Sequence, residues 1–143
     1  GLLAFFVIAS VWTNDGFAYL GGSTFGKHKF APRISPKKSW EGVIIGMAGS
    51  LIWWLLIPVV VPSCGFGFAW AAIAGICCGF VGVLGDLTES HIKRGFDAKD
   101  SGDIMPGHGG LLDRTDSFIF VSVVAYAFVA IAPHLFALTG VFL

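Results

Sequence analysis

The sequence predicts an all-α integral membrane protein with about four transmembrane helices, the first truncated, and two charged loops on the cytosolic face. Three observations carry that reading. Val43–Val61, Phe66–Gly85 and Phe118–Leu135 are uncharged runs of 19, 20 and 18 residues, apart from His134 near the end of the last. Each approaches the roughly 20 apolar residues that a bilayer requires. Hydrophobic residues make up 55% of the 143 positions and charged residues 13%, with a mean hydropathy of +0.80. That charged share is about half of what a soluble domain carries. Finally, all nine Lys and Arg fall in two loops, Lys27 to Lys38 and Lys93 to Arg114, although the net charge is zero. Two spans separate these loops, so both emerge on one face, and the positive-inside rule makes that face cytoplasmic.

Taken in order, Leu2–Trp12 is an apolar run too short to span alone, continued by Ala18–Leu20. It opens in mid-pattern without an initiator Met, which predicts the tail of a span and a chain forming the C-terminal part of a larger protein. A signal peptide is not expected, because no basic segment precedes the run. The first charged loop, Gly21–Gly42, is punctuated by Gly and Pro and reads as irregular or as short helices. Pro62–Gly65 is the turn of a helical hairpin. Gly42, Gly46 and Gly49, then Gly75, Gly79, Gly82 and Gly85, recur at three or four residues. That is the small-residue face by which membrane helices pack closely. No composition break or repeat divides residues 1–143, which predicts one membrane-embedded catalytic portion. Cys64, Cys77 and Cys78 have neither metal nor disulfide spacing and read as small core residues.

Candidate chemistry concentrates around Ser90–Asp116, where five Asp, four Lys/Arg and two His occupy 27 residues between apolar runs. Charge this dense beside hydrocarbon is costly unless a polar ligand or metal uses it. Asp86 closes the third run, followed by Glu89, Ser90 and Lys93 at helical spacing, so the four share one stripe. Glu89 and Lys93 also have the order of an ordinary i,i+4 ion pair. Asp113 and Asp116 open the last run after His108-Gly109-Gly110, whose glycines let backbone N–H groups converge on an anion. Aspartates from two helices are hard oxygen ligands suited to Mg²⁺. Asp86 with Asp113, joined by Asp116, is therefore the candidate metal set. Lys37 and Lys38, in the segment opened by Ser35, are candidate phosphate contacts, as is Lys99. Asp15, beside Asn14 in the first apolar run, is a candidate by virtue of being an acid at membrane depth. Asp97, Asp100 and Asp103 resemble a calcium loop, but Lys99 and His108 occupy positions that need oxygen ligands, so an EF-hand is rejected. Walker A, dinucleotide-binding and zinc-protease motifs are absent.

These residues resemble the phosphatidate cytidylyltransferase (CDP-diacylglycerol synthase) family. The carrying stretch runs Ser90-His91-Ile92-Lys93-Arg94, Lys99-Asp100-Ser101-Gly102 and His108-Gly109-Gly110-Leu111-Leu112-Asp113-Arg114-Thr115-Asp116. Asn14-Asp15 through Ala18-Tyr19, Phe25-Gly26-Lys27 and Ile34–Gly42 look like the same family, so the likeness covers nearly the whole chain and corresponds to the family's C-terminal half. Two departures are Met105 at a usual Leu, Ile or Phe position, and Gly22-Ser23-Thr24 where an Arg often stands. The resemblance implies an all-helical, generally homodimeric membrane enzyme that converts CTP and phosphatidic acid to CDP-diacylglycerol and pyrophosphate. It implies Mg²⁺ as cofactor, with a second metal such as K⁺ as an option, membrane lipids as surroundings and no nucleic-acid partner. Carried onto this chain, Asp86, Asp113, Lys93, Arg94 and Arg114 are the expected catalytic residues. Asp15, Ser35, Lys37, Lys38, Ser90, Lys99, His108, Gly109 and Gly110 are the expected substrate contacts.

Two other readings compete. Another Mg²⁺-dependent lipid-phosphate transferase, of the CDP-alcohol or polyprenyl-phosphate type, shares the face and the metal. The CDP-alcohol type requires a DG-x2-AR…G-x3-D-x3-D helix that this sequence lacks. An ion transporter would spread its acids through the membrane, whereas these cluster at span ends beside basic loops.

Overall fold

A computed structural model describes residues 1–96 and 112–139, and four long helices dominate it: α1 Leu2–Phe25, α2 Trp40–Val60, α3 Phe68–Gly95 and α4 Leu112–Thr139. Among the described residues, α1, α2 and α3 are long and apolar enough to cross a membrane, and Thr115–Ile131 of α4 is a shorter apolar stretch. The helices pack in chain order, with α1 also touching α3 and α4. Gly22 approaches Gly42, and Gly85 approaches Asp116 and Ser117, so neighbouring helices run antiparallel. The C-terminal ends of α1 and α3 and the N-terminal ends of α2 and α4 therefore gather at one end of the bundle.

Helix α1 joins the Leu2–Trp12 run to Ala18–Leu20, as the sequence predicts. It continues for 24 residues, through Asn14 and Asp15. The polar pair does not break it because Asn14 is buried between helices and Asp15 lines a polar cavity open at the end of the bundle, so neither side chain has to face lipid. The first charged loop differs from expectation. Instead of irregular backbone or short helices, it forms an antiparallel hairpin of β1 Lys29–Ala31 and β2 Ser35–Ser39. Ala31-Pro32-Arg33-Ile34 is its turn, closed by Ile34 N–H donating to Ala31 O at 3.1 Å, with Pro at the position whose φ it presets. Pro36 is tolerated in β2 because a two-stranded sheet has only edge strands. The hairpin is fixed to α2 at its base. Trp40 N–H donates to His28 O at 2.9 Å, His28 Nδ1 lies 2.6 Å from Glu41 Oε1, and Phe30 meets Trp40 edge-on at 4.6 Å. Ser39 then caps α2, its Oγ accepting from Gly42 N–H at 3.2 Å.

The hairpin turn between α2 and α3 lies where the sequence predicts it: a short 3-10 turn, Pro62–Cys64, followed by Gly65 in the left-handed region at φ 72°. Inside the bundle Trp54 and Ile57 of α2, Ala74 and Cys78 of α3, and Val121 and Ala125 of α4 form a core with Phe6, Val11 and Phe66. Large apolar side chains such as Ile44, Ile52, Ile73 and Val123 are exposed on the outside, as a lipid-facing surface requires. Since lipid offers helices no hydrophobic drive to associate, close packing and interhelical hydrogen bonds hold them. Ser50 Oγ donates to Gly75 O at 2.9 Å, Trp53 Nε1 to Phe6 O at 2.9 Å, and Trp70 Nε1 to Phe128 O at 3.2 Å.

The glycine ladder is the contact surface itself. A Cβ on Gly46 would lie 2.8 Å from Asn14 O and 2.8 Å from Ala18 Cβ, and one on Gly75 2.9 Å from Leu51 Cα. Gly46→Ala is expected to destabilise the protein in detergent by about 1–3 kcal/mol through overpacking, read as a lowered thermal midpoint. Gly16→Ala, where nothing lies within 4 Å, should leave the midpoint unchanged or slightly higher. Glu41→Ala removes the carboxylate contacts to the His28 ring and backbone N–H, leaving only the Trp40 bond, so amide exchange across residues 29–39 should accelerate while the helices' exchange does not. Unchanged hairpin exchange would contradict the clamp.

Candidate active site

At the end of the bundle where the hairpin meets the ends of α3 and α4 lies a cavity of about 690 Å³. Asn14, Asp15 and Tyr19 line it from α1, Lys29, Lys37 and Lys38 from the hairpin, Val83, Asp86, Glu89 and Lys93 from α3, and Asp116 and Ser117 from α4. The cavity exists because α3 outlasts its apolar run. The helix continues to Gly95, carrying the stripe Asp86, Glu89, Ser90 and Lys93 beyond the core. Gly85 supplies the clearance, since a Cβ there would lie 3.0 Å from the Asp116 carbonyl and 3.0 Å from Ser117 Cα. Close approach of α3 and α4 therefore brings Asp86 and Asp116 together.

One carboxylate oxygen from each of Asp86, Glu89 and Asp116 lies within 4.8 Å of the others, the one such group of potential metal ligands among the described residues. Three acids this close repel one another unless cations intervene. Two lysines do so. Lys38 Nζ lies 2.6 Å from Asp86 Oδ2 and 3.5 Å from Val83 O, and Lys93 Nζ lies 2.9 Å from Glu89 Oε2. Ser90 Oγ donates to Asp86 Oδ1 at 3.3 Å, and the Ser117 backbone N–H donates to Asp116 Oδ1 at 2.6 Å. Lys38 reaches inward because Ser39, its neighbour, is pinned as the cap of α2. Clustered carboxylate oxygens from two helices are a hard donor set that fits Mg²⁺, while the lysines from the hairpin and α3 suit phosphate oxygens.

Of the sequence-predicted residues, the cavity gathers Asp15, Lys37, Lys38, Asp86, Lys93 and Asp116. Ser90 joins through Asp86. Ser35 and Arg94 do not line the cavity: Ser35 pairs with Ala31 in the hairpin, and Arg94 sits in the last turn of α3. Lys99, His108, Gly109 and Gly110 lie outside the described residues, as do the side chains of Asp113 and Arg114, whose backbone is in the first turn of α4.

Glu89, Asn14 and Lys29 line the site but are not among the sequence-predicted residues. Glu89 is 7% exposed and belongs to the carboxylate group, although its i,i+4 pairing with Lys93 suggested a solvated helix end. Asn14 is 4% exposed, its Nδ2 lies 3.4 Å from Asp15 Oδ1, and its Oδ1 has no hydrogen-bond partner among the described residues. Gly46 and Gly82 make its berth, since Cβ atoms there would stand 3.2 Å from its Oδ1 and 3.5 Å from its Nδ2. The signal available for Asn14 was its place beside an acid in an apolar run.

The chain is 43% identical over 137 residues to phosphatidate cytidylyltransferase 4, chloroplastic, of Arabidopsis thaliana, covering 95% of this chain and 34% of that protein. It is 40% identical over 138 residues to the phosphatidate cytidylyltransferase of Brucella abortus biovar 1 (strain 9-941), covering 96% and 50%. The Bacillus subtilis (strain 168) phosphatidate cytidylyltransferase is 38% identical over 131 residues, covering 89% and 47%. The chain thus spans between a third and a half of the length of these relatives. Residues 1–132, including every element that lines the cavity, match the cytidylyltransferase family, and the chain belongs to it.

Proposed function

We propose that the protein transfers the cytidylyl group of CTP to phosphatidic acid, giving CDP-diacylglycerol and pyrophosphate in phospholipid biosynthesis. The observation that carries the reading is the carboxylate group of Asp86, Glu89 and Asp116 facing lysines from the hairpin and α3 at one end of an apolar bundle. Family membership and relatives named phosphatidate cytidylyltransferase support it. The positive-inside rule applied to the two basic segments supports a site on the cytosolic face, and the cytoplasmic membrane is the proposed location.

In this reaction an oxygen of the lipid phosphate attacks the α-phosphorus of CTP. A new P–O–P bond forms, the α–β bridge breaks and pyrophosphate leaves. A phosphate monoester has a second pKa of about 6, so the nucleophile is already ionised at neutral pH and needs no strong base. The protein's work is positioning and charge neutralisation. Asp86, Glu89 and Asp116, with Asp113 by family resemblance, would hold Mg²⁺, which when bound would supply Lewis-acid character and positive charge for the phosphoryl transfer. Lys29, Lys37, Lys38 and Lys93 neutralise phosphate oxygens, a task shared with Arg114 and Lys99 by family resemblance. Asn14 orients Asp15 toward the cavity, and the acyl chains stay in lipid against the exposed apolar helix faces. A homodimer and a second metal such as K⁺ complete the proposal, both on family resemblance.

The intact protein in detergent, given α-labelled CTP, phosphatidate and Mg²⁺, should form labelled CDP-diacylglycerol. Asp86→Asn and Asp116→Asn should each lower kcat at least about a hundredfold, the scale of losing one group that stabilises transition-state charge. Activity with a different lipid phosphate but none with phosphatidate would favour the other lipid-phosphate transferases. For the topology, a cysteine at Lys37 in an otherwise cysteine-free protein should react with an impermeant maleimide only after the cytosolic side is opened. Labelling of intact cells would contradict the orientation.

A further inference from the structure

Lys38 does something that a phosphate contact alone does not require: it is joined to a carboxylate of the metal set. Its Nζ lies 2.6 Å from Asp86 Oδ2, across 48 positions of sequence, with the lysine side chain 21% exposed and the aspartate 37%. Lys93 differs, since it belongs to the same helix as its partner Glu89 and sits one turn away. The hairpin that carries Lys38 has only two strands and is anchored at its base, through His28, Trp40 and Glu41. Lys38 lies in that anchored base, next to the Ser39 cap, so its backbone is held while its long, flexible side chain can turn. Asp15, Glu89 and Asp116 also face the cavity beside Asp86, so the ammonium sits where the negative field converges.

We infer that Lys38 is the resident cation of this acidic site and exchanges for the divalent ion. The inference rests on the metal reading above. With the ammonium on Asp86, an entering divalent ion meets like-charge repulsion and loses one oxygen ligand to the lysine. A triphosphate in the cavity offers the lysine an alternative anion. Lys38 then moves to a phosphate oxygen, and Asp86 becomes available to the ion. Metal and nucleotide each favour the other's binding through one side chain, and such coupling is reciprocal by thermodynamic necessity. The lysine keeps the carboxylates paired between turnovers and makes the nucleotide the condition for tight metal binding.

The test is Mn²⁺ titration of the intact, nucleotide-free protein in detergent, followed by electron paramagnetic resonance. Lys38→Met should bind Mn²⁺ about tenfold more tightly than wild type, within the usual range of site-to-site coupling. Lys38→Arg, which keeps the charge, should retain the weak wild-type affinity, and Lys37→Met should change it less than Lys38→Met does. In turnover, Lys38→Met should need less Mg²⁺ for half-maximal rate while its KM for CTP rises. Unchanged or weaker Mn²⁺ binding in Lys38→Met overturns the exchange. An Asp86→Asn variant separates the two readings. If it abolishes Mn²⁺ binding while Lys38→Met is silent, only the exchange fails. If Asp86→Asn leaves Mn²⁺ binding intact, the metal assignment fails and the exchange with it.

Discussion

Acidic groups placed among apolar helices must be matched by cations, and this requirement organises the functional end of the molecule. Asp86 and Asp116 come from different helices, and Glu89 shares the stripe of Asp86, yet all three point at one spot. The match is made by lysines from two directions. One is on the helix itself; the other comes from the base of the hairpin, beside the Ser39 cap of α2. Remove the constraint and the hairpin loses its contact with α3. With it, the hairpin and the charged ends of α3 and α4 border one cavity.

The glycine faces make that arrangement geometrically possible. Cβ atoms at Gly42, Gly46, Gly75 or Gly85 would stand 2.7–3.0 Å from backbone of a neighbouring helix. Because lipid exerts no hydrophobic squeeze on the helices, these approaches and a few hydrogen bonds to carbonyls hold the bundle together. The same approaches set the site's dimensions. Gly85 brings α4 against α3 and so Asp116 toward Asp86, while Gly46 and Gly82 leave just enough room for Asn14 behind Asp15. Packing and chemistry here are one property of the sequence, which explains why small residues run up to the edge of the charged cluster.

Much of this was legible in the chain. The apolar runs announce the helices by length, the confinement of basic residues to two segments announces one shared face, and the stripe from Asp86 to Lys93 is correct at helical spacing. What was hidden depends on contacts between elements. The β-hairpin reads as loop because Gly and Pro mark turns without stating which strands pair, and because its anchors, His28 to Glu41 and Phe30 to Trp40, are tertiary. Glu89 looked like half of a surface ion pair, since its burial comes from the apposition of other elements. Asn14 becomes meaningful only when Gly46 and Gly82 are seen to surround it.

The central claim is that Asp86, Glu89 and Asp116 form one divalent-cation site from which CTP is attacked. Anomalous X-ray scattering from crystals of the intact protein with Mn²⁺ and a non-hydrolysable CTP analogue tests it most directly. The account predicts a manganese peak within bonding distance of Asp86 and Asp116 carboxylate oxygens, with the nucleotide's phosphates beside it and Lys38 turned from Asp86 toward them. A manganese peak elsewhere, or nucleotide bound in this cavity with Lys38 still on Asp86 and no metal between the carboxylates, would contradict it.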